Sequence, residues 1–398
     1  MNTITTPFFV MKNQIQNYAW GSIDSISQLF GIANPEQQPQ AEIWMGAHPN
    51  GCSEVELNGQ PCLLSELIAQ DKARFLSQQT AAQFGELPYL FKVLAAAQAL
   101  SIQVHPSKEE AQAGYAAENA AGIDRAAAHR NYKDPNHKPE LVYALTAYQA
   151  MNGFRGIPAI VAHFEPLNIA PIQPLVDALR HQQTEQGLQQ FFTQLLSLTG
   201  DLKQQAVAAL LVYAQSHQSQ DVFALILELA TQYPNDIGLF APLMLNVLTL
   251  QPGEAMYLDA RTPHAYLKGT GLEIMANSDN VLRAGLTPKH MDVEELAKCT
   301  RFAEKPANTL LLEPIEQDGA LLFPVPVDDF KFALYTAPQQ SDVTMNSAEI
   351  IFPIDSDATL ISDEGIEVTI HKGQSVFIPA YTAHYQLSSA GRVARAYN

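Results

Sequence analysis

Along residues 8–155 apolar and polar positions alternate in short runs separated by turn clusters: FFVMKN, AEIWMGAH, CSEVEL, LFKVLAA, LSIQVHP and ELVYALTAYQAMNGF. A period of two sends successive side chains to opposite faces of a strand. The stretch therefore predicts an antiparallel sandwich or barrel rather than an alternating α/β domain. One helix interrupts it. After Pro106, Ser107 stands where an N-cap would, Glu109 and Glu110 lie in the first turn, where the helix dipole favours acids, and the run continues through GYAAENAAG. From about Ile157 to Tyr233 the period changes to that of a helix. Leu188, Phe191, Phe192, Leu195 and Leu196 make one stripe, Val207, Leu210, Leu211 and Tyr213 a second, and Val222, Leu225, Ile226 and Leu229 a third, predicting a subdomain of short helices. His163, His181 and His217, scattered among its polar residues, read as solvated side chains.

After YPNDIGLFAPLMLNVL the strand pattern returns and contains a repeat. GEAMYLDARTPHAY at 253–266 aligns with GQSVFIPAYTAHYQ at 373–386, with Gly, Ala, Thr and His coinciding at a constant offset of 120 residues. In each copy the Gly starts a strand after a turn, and the Thr-x-His step is expected to end on a side chain facing a barrel interior. Two related jelly-roll barrels follow, and here the chain begins to resemble the cupins. The expected fold is mainly β with a helical insertion. Its expected divisions are a barrel in two parts, 1–156 and 239–305, an α-helical insert over 157–238, and a second barrel over 306–398.

Size and charge narrow the function classes. At 398 residues the chain exceeds one ordinary core, and about 150 residues per domain predicts two or three domains. A net charge of −18 argues against nucleic acid or an anionic membrane as partner, since the average field repels phosphate polymers, so an anionic substrate must find a local basic pocket. Cys52, Cys62 and Cys299 show no CxxC spacing, which fits a reducing compartment and rules out a thiolate zinc knuckle. No signal-peptide pattern opens the chain, and no apolar run reaches the about 18 residues a membrane helix needs. A cytoplasmic protein is expected, and with no amphipathic surface standing out as an interface, a monomer.

Candidate metal ligands come from three places. In SIQVHP, Gln103 and His105 share a strand face while Ile102 and Val104 pack behind; in ELVYAL, Glu140 shares a face with Val142 and Ala144; His264 ends the first repeat element. One amide oxygen, two imidazoles and a carboxylate around an open position suit Zn²⁺ with a bound water. Fe²⁺, Mn²⁺ and Co²⁺ tolerate the same set, and a QxH pair alone can equally be a satisfied polar pair. Upstream of His384 the second copy reads ATLISDEGIEVTIHKG, with no QxH and no carboxylate in the corresponding register, so His384 is expected to be a non-ligand. Pro139 holds its predecessor extended, which puts Lys138 on the face of Glu140. GLEIMANSDNVLRAGLTPKHMD then supplies Glu273, Asp279, Arg283 and Lys289 within seventeen residues. Lys138, Arg283, Lys289 and Lys92 could together hold a phosphate dianion, the alternative being a salt-bridged loop.

QNYAWGS, SIQVHPS, NHKPELVYAL, GFR and PHAYLKGTGLEIMANSDNVLRAGLTPKH, in this order from about residue 8 to 305, resemble the type I phosphomannose isomerases. The resemblance implies a zinc enzyme interconverting mannose 6-phosphate and fructose 6-phosphate, feeding mannose utilisation and GDP-mannose synthesis, with a metal-free second barrel. Carried over position by position, its metal ligands fall on Gln103, His105, Glu140 and His264 and its catalytic arginine on Arg283. His137, Lys138, Glu273, Asp279 and Lys289 match the family's pocket, with Tyr266 as a sugar contact. Ala284 and Asn277 depart from the pattern beside the motif without touching these positions. For a cis-enediol proton transfer the expected roles are Arg283 against enediolate charge and His137 or Lys138 as proton carrier. Glu273 and Asp279 are orienters, or Glu273 is itself the base, and Lys289, Ser101 and Lys92 hold the phosphate. The competing readings are an iron-dependent cupin dioxygenase and a non-enzymatic sugar-phosphate-binding cupin.

Overall fold

Each apolar-polar alternation becomes a strand in the computed structural model, which describes residues 4–398. The first assembly is a ten-stranded sheet with the backbone order Leu245–Leu250, Tyr148–Phe154, His264–Ala276, Tyr89–Ala96, Glu42–Met45, Gln14–Gln16. The long strand His264–Ala276 closes it. Its first residues pair with Gln103 and Asn152, and its last with Tyr89–Ala96 on one side and Glu140–Ala144 on the other. The second assembly packs a seven-stranded sheet on a four-stranded one, with Tyr335, Ile351, Val376 and Val393 of the first meeting Val343, Leu360, Tyr385 and Leu387 of the second. Two antiparallel barrels with a helical insertion are thus the observed architecture, as the alternation implies.

Strand formation is readable locally, but the partner is not. FFVMKN, expected in the first barrel, forms the strand Phe9–Met11 and pairs with Ser375–Ile378 at the edge of the second. Period two fixes which side chains share a face and leaves the neighbour open. The expectation of a single helix before residue 155 is also corrected. Lys108–Ala120 forms with the expected cap, Ser107 Oγ accepting from the Glu110 amide at 3.2 Å and the Glu110 carboxylate accepting from the Ser107 amide at 2.8 Å. Four further helices, Ser25–Phe30, Leu64–Ala69, Lys72–Leu76 and Gln78–Gln83, are each too short to show a 3.6-residue period.

Three helices carry the stripes of the insertion, Glu185–Leu196, Gly200–Ser216 and Asp221–Gln232. Their buried residues form one core with Ile102, Val104, Met151, Leu282 and Ala284 of the first barrel. A second core joins the two barrels, with Leu141, Tyr143 and Leu145 packed among Phe323, Phe330, Phe332 and Phe352. No helix among the described residues is long and apolar enough to cross a membrane.

The repeat is structural. Gly253 and Gly373 both adopt left-handed backbone, φ 99° and 81°, and each leads into a strand, Ala255–Leu258 and Ser375–Ile378. Two expectations about the second copy are corrected. A carboxylate does occupy the corresponding register: Glu349 pairs with Ile378 as Glu140 pairs with Leu258, and Leu258 and Ile378 are themselves at the 120-residue offset of the repeat. It lies before the ATLISDEG segment, outside the stretch just upstream of His384. Glu349 is fully buried, forms an ion pair with Arg395, Nε to Oε2 at 2.8 Å, and accepts from Tyr385 Oη at 3.0 Å. His384 does not face the barrel interior. Ala383 takes φ 60°, Tyr385 turns inward instead, and His384 meets Asp342 and Asp363 near the surface.

Candidate metal centre

Sheet register assembles the site. Gln103 stands opposite His264 on one side and Arg283 on the other, and His264 stands opposite Asn152, so Asn152, His264, Gln103 and Arg283 form one row across four strands. Residues paired in this way project to the same face. A second row joins Glu273 to Lys92 and Lys92 to Trp44.

His105, Glu140 and His264 converge, each offering one ligand atom with all three atoms within 4.8 Å of one another, and all three side chains are buried. His105 Nδ1 lies 2.7 Å from Asn280 O, and His264 Nδ1 lies 2.9 Å from Thr262 O. A carbonyl only accepts, so both Nδ1 atoms carry the proton and both Nε2 lone pairs are free for a ligand. The His105 Nε2 is 3.3 Å from Glu140 Oε1 but misaligned, leaving a buried nitrogen with no hydrogen-bond partner. Burial, with Lys138 adding to it against Glu140, pushes the His105 imidazole down to about 4, so it is neutral at pH 7. Glu140 is shaped the other way. Burial opposes its ionisation, yet the Lys138 ammonium at 2.9 Å holds its carboxyl well below the usual range. Tyr266 Oη donates to its other oxygen at 2.7 Å. Two neutral imidazoles and a carboxylate with an orphaned buried nitrogen fit a divalent metal, and Gln103 reaches the same cavity.

The cavity of about 550 Å³ above these residues divides by charge. On one side each lysine has a carboxylate, and an imidazole lies beside another. Lys92 Nζ lies 2.9 Å from Glu273 and 3.5 Å from Glu42, Lys138 meets Glu140, and His48 lies 3.4 Å from Asp279. Burial raises the Glu273 carboxyl, with Glu140 adding to it against Lys92; Asp279 is lowered by His48 in spite of its burial. On the other side, beside Ser101, Arg283 and Lys289 face the cavity with no carboxylate within 4 Å among the described residues. Burial lowers both, and Arg283 adds to the effect on Lys289.

Two expected residues are placed otherwise. His137 is not on the cavity wall. Its Nε2 lies 3.0 Å from Asp329 Oδ2 in the second barrel, because alternation that aims Lys138 and Glu140 inward aims residue 137 outward. Lys92, expected at the phosphate, is buried between two carboxylates under the Trp44 ring, 5.2 Å from its centroid. Sequence reasoning missed Glu42, Trp44 and His48, although EIWMGAH signals the first two as neighbours on one strand face. It also left Tyr18 and Trp20, stacked with centroids 5.7 Å apart at the cavity mouth, without a role.

Fold and site together define a metal-binding cupin whose cavity has one unpaired cationic end. Family descriptions match three stretches: phosphomannose isomerase type I, catalytic domain, over 8–157; its helical insertion domain over 170–245; and the mannose-6-phosphate isomerase cupin domain over 320–398. Mannose-6-phosphate isomerases from Salmonella typhimurium and Escherichia coli are each 48% identical over 97% of this chain and 98% of their own length, and that of Mus musculus is 35% identical over 94% and 93%. A crystal structure of zinc-bound mannose 6-phosphate isomerase superposes with a TM-score of 0.94 at 47% identity, covering 99% of this chain and all of the other. The chain belongs to the type I phosphomannose isomerases.

Proposed function

We propose that this chain interconverts D-mannose 6-phosphate and D-fructose 6-phosphate, with one Zn²⁺ held by Gln103, His105, Glu140 and His264. The observation that carries the substrate class is the cavity's division of charge. Lys289 stands free to meet a phosphate dianion, and Arg283, paired across the sheet with Gln103, stands free to meet charge on the sugar oxygens, whereas Lys92 and Lys138 are already matched by carboxylates. Relatives named for this activity along the whole chain support the specific sugar. Bound there, zinc supplies Lewis acidity toward the O1 and O2 oxygens of the open-chain sugar.

The chain's own residues do the rest. Lys289 and Ser101 hold the phosphate at the cationic end. Lys138, whose Nζ lies 2.9 Å from Glu140, is close enough to the metal centre to take the proton from C2 as the neutral amine, the form that a divalent cation held by Glu140 would favour, and to return it to C1. Arg283, always charged, stabilises the negative charge that develops on the enediol oxygens. Glu273 and Asp279 orient the hydroxyls, Glu273 fixed by Lys92 and Asp279 by His48 and Asn50. Tyr266 holds Glu140 in place and closes the floor. The product serves mannose utilisation or, in the opposite direction, GDP-mannose synthesis.

A coupled assay of mannose 6-phosphate conversion tests the reading, run on the enzyme as prepared, after chelation, and after zinc is restored. Activity that is lost and then recovered is expected. Full activity in metal-free protein, or no conversion by zinc-loaded protein, would overturn it.

A further inference from the structure

The segment that enters the metal centre, Lys138-Pro139-Glu140, is held at both ends of its preceding loop by different parts of the fold. On the first-barrel side, Asn136 Nδ2 donates to Asn277 O at 2.8 Å, and Asn280 Nδ2 donates to Asn136 O at 2.8 Å. On the other side the contact comes from the second barrel. Asp329, only 6% exposed, places Oδ2 3.0 Å from His137 Nε2, and its neighbour Phe330 is fully buried in the core shared by the barrels. A carboxylate only accepts, so His137 donates, and a nearly buried acid at this contact fixes the ring's direction. The strand Glu140–Ala144 continues the arrangement. Tyr143, on its outward face, packs against Phe323 and Phe332 of the second barrel, with ring centroids 5.6 Å away in each case, and Arg392 donates to Tyr143 Oη at 3.2 Å.

We infer that Asp329 is a positioning residue for the isomerisation: acting through His137, it fixes the backbone from which Lys138 and Glu140 reach the metal centre. This rests on the proposed role of Lys138 in proton transfer. His137 and Lys138 are adjacent and point to opposite faces, so locking the ring of one sets the direction of the other. The second barrel, which has Arg395 beside Glu349 where the first has its metal centre, thereby takes part in the chemistry of the first.

The test is kinetic and uses the full-length, zinc-loaded enzyme. Asp329→Ala should lower kcat at least tenfold with KM for mannose 6-phosphate changed less than twofold and zinc content intact. Asp329→Asn, which keeps an acceptor for His137, should stay within about threefold of wild type. The double variant His137→Ala/Asp329→Ala should be no slower than the slower single variant, as for residues acting as one unit. A purely structural Asp329 would lower the melting temperature and leave kcat per folded, zinc-loaded molecule within twofold of wild type, and that result overturns the inference. If Asp329→Ala does not fold, the contact is read from its other partner. His137→Gln, which retains a donor, should be near wild type and His137→Ala tenfold slower, and equal rates would again overturn it. A fully active Lys138→Ala enzyme sinks the proton-transfer role and this inference with it. An inactive Lys138→Ala beside a fully active Asp329→Ala sinks the positioning role alone.

Discussion

Lys289→Met removes one of the two cations at the carboxylate-free end of the cavity while keeping most of the length of the stem. Two unit charges about 4 Å apart interact by about 4 kcal/mol at the effective dielectric of a partly buried site and by about 1 kcal/mol in bulk water. Lys289 is exposed, and Arg283 remains beside it, so the weaker half of that range applies. A loss of about 1–2 kcal/mol corresponds to a rise of roughly 5- to 30-fold in KM for mannose 6-phosphate. Because the phosphate lies away from the reacting carbons, binding weakens in ground and transition states alike, and kcat should change little. Steady-state kinetics at about 0.1 M ionic strength, where screening beyond about 10 Å is strong, would measure this, with Lys289→Arg as the charge-conserving control. Unphosphorylated mannose should be turned over equally poorly by wild type and variant. An unchanged KM in Lys289→Met, or an equal loss with mannose itself, would refute the assignment of this end to phosphate.

Arg283→Ala should reduce kcat by about 100-fold or more while zinc content stays at one per chain, as for loss of a donor to developing charge; activity and metal analysis on the same sample decide it. Glu140→Gln should strip the metal, and full occupancy by atomic absorption would exclude Glu140 as a ligand. Phe332→Ala, which empties a site between the barrels that is 1% exposed, should cost about 3–5 kcal/mol in urea unfolding; a loss below about 1 kcal/mol would show that the shared core is not packed as described. Asp355, whose hydrogen bonds from Arg392 hold its carboxyl low, contributes stability that is present above the unfolded value near pH ~4 and lost as pH falls through the folded value. Asp355→Asn should therefore destabilise by about 1 kcal/mol at pH 7, and the difference from wild type should shrink below pH ~4.

Much of the site could be read in advance because its geometry is carried by period two. Gln103 with His105 and Lys138 with Glu140 are i, i+2 pairs, and His264 marks a repeat whose strands recur at a fixed offset. The same rule, carried one residue further, would have turned His137 away from the cavity, since a neighbour of Lys138 on an extended segment must face the other side. The role of Lys92 was beyond reach for a different reason. Its partners Glu42 and Glu273 come from strands 50 residues before and far after it, and only cross-strand register reveals that its charge is already matched. Glu349 escaped because the helical insertion separates Glu140 from His264 by a long stretch of chain, whereas its counterpart lies close before His384. The Phe9–Met11 strand shows the same limit: alternation predicts an element, and the partner is chosen by shape and burial elsewhere in the chain.

The strands bearing Gln103 and Glu140 differ in what lies behind them. Ile102 and Val104 rest on the helical insertion, whereas Leu141 and Tyr143 rest on the second barrel. Both strands belong to the first barrel, yet each is backed by a different module, so the docking of the insertion and of the second barrel both bear on the geometry of the site. A chain nicked in the insertion, or one whose C-terminal half has not yet folded, is therefore expected to bind metal at this site more weakly than the intact fold. Zinc retention by a partly proteolysed or newly refolded sample would report how much of the population has finished folding, before any turnover is measured.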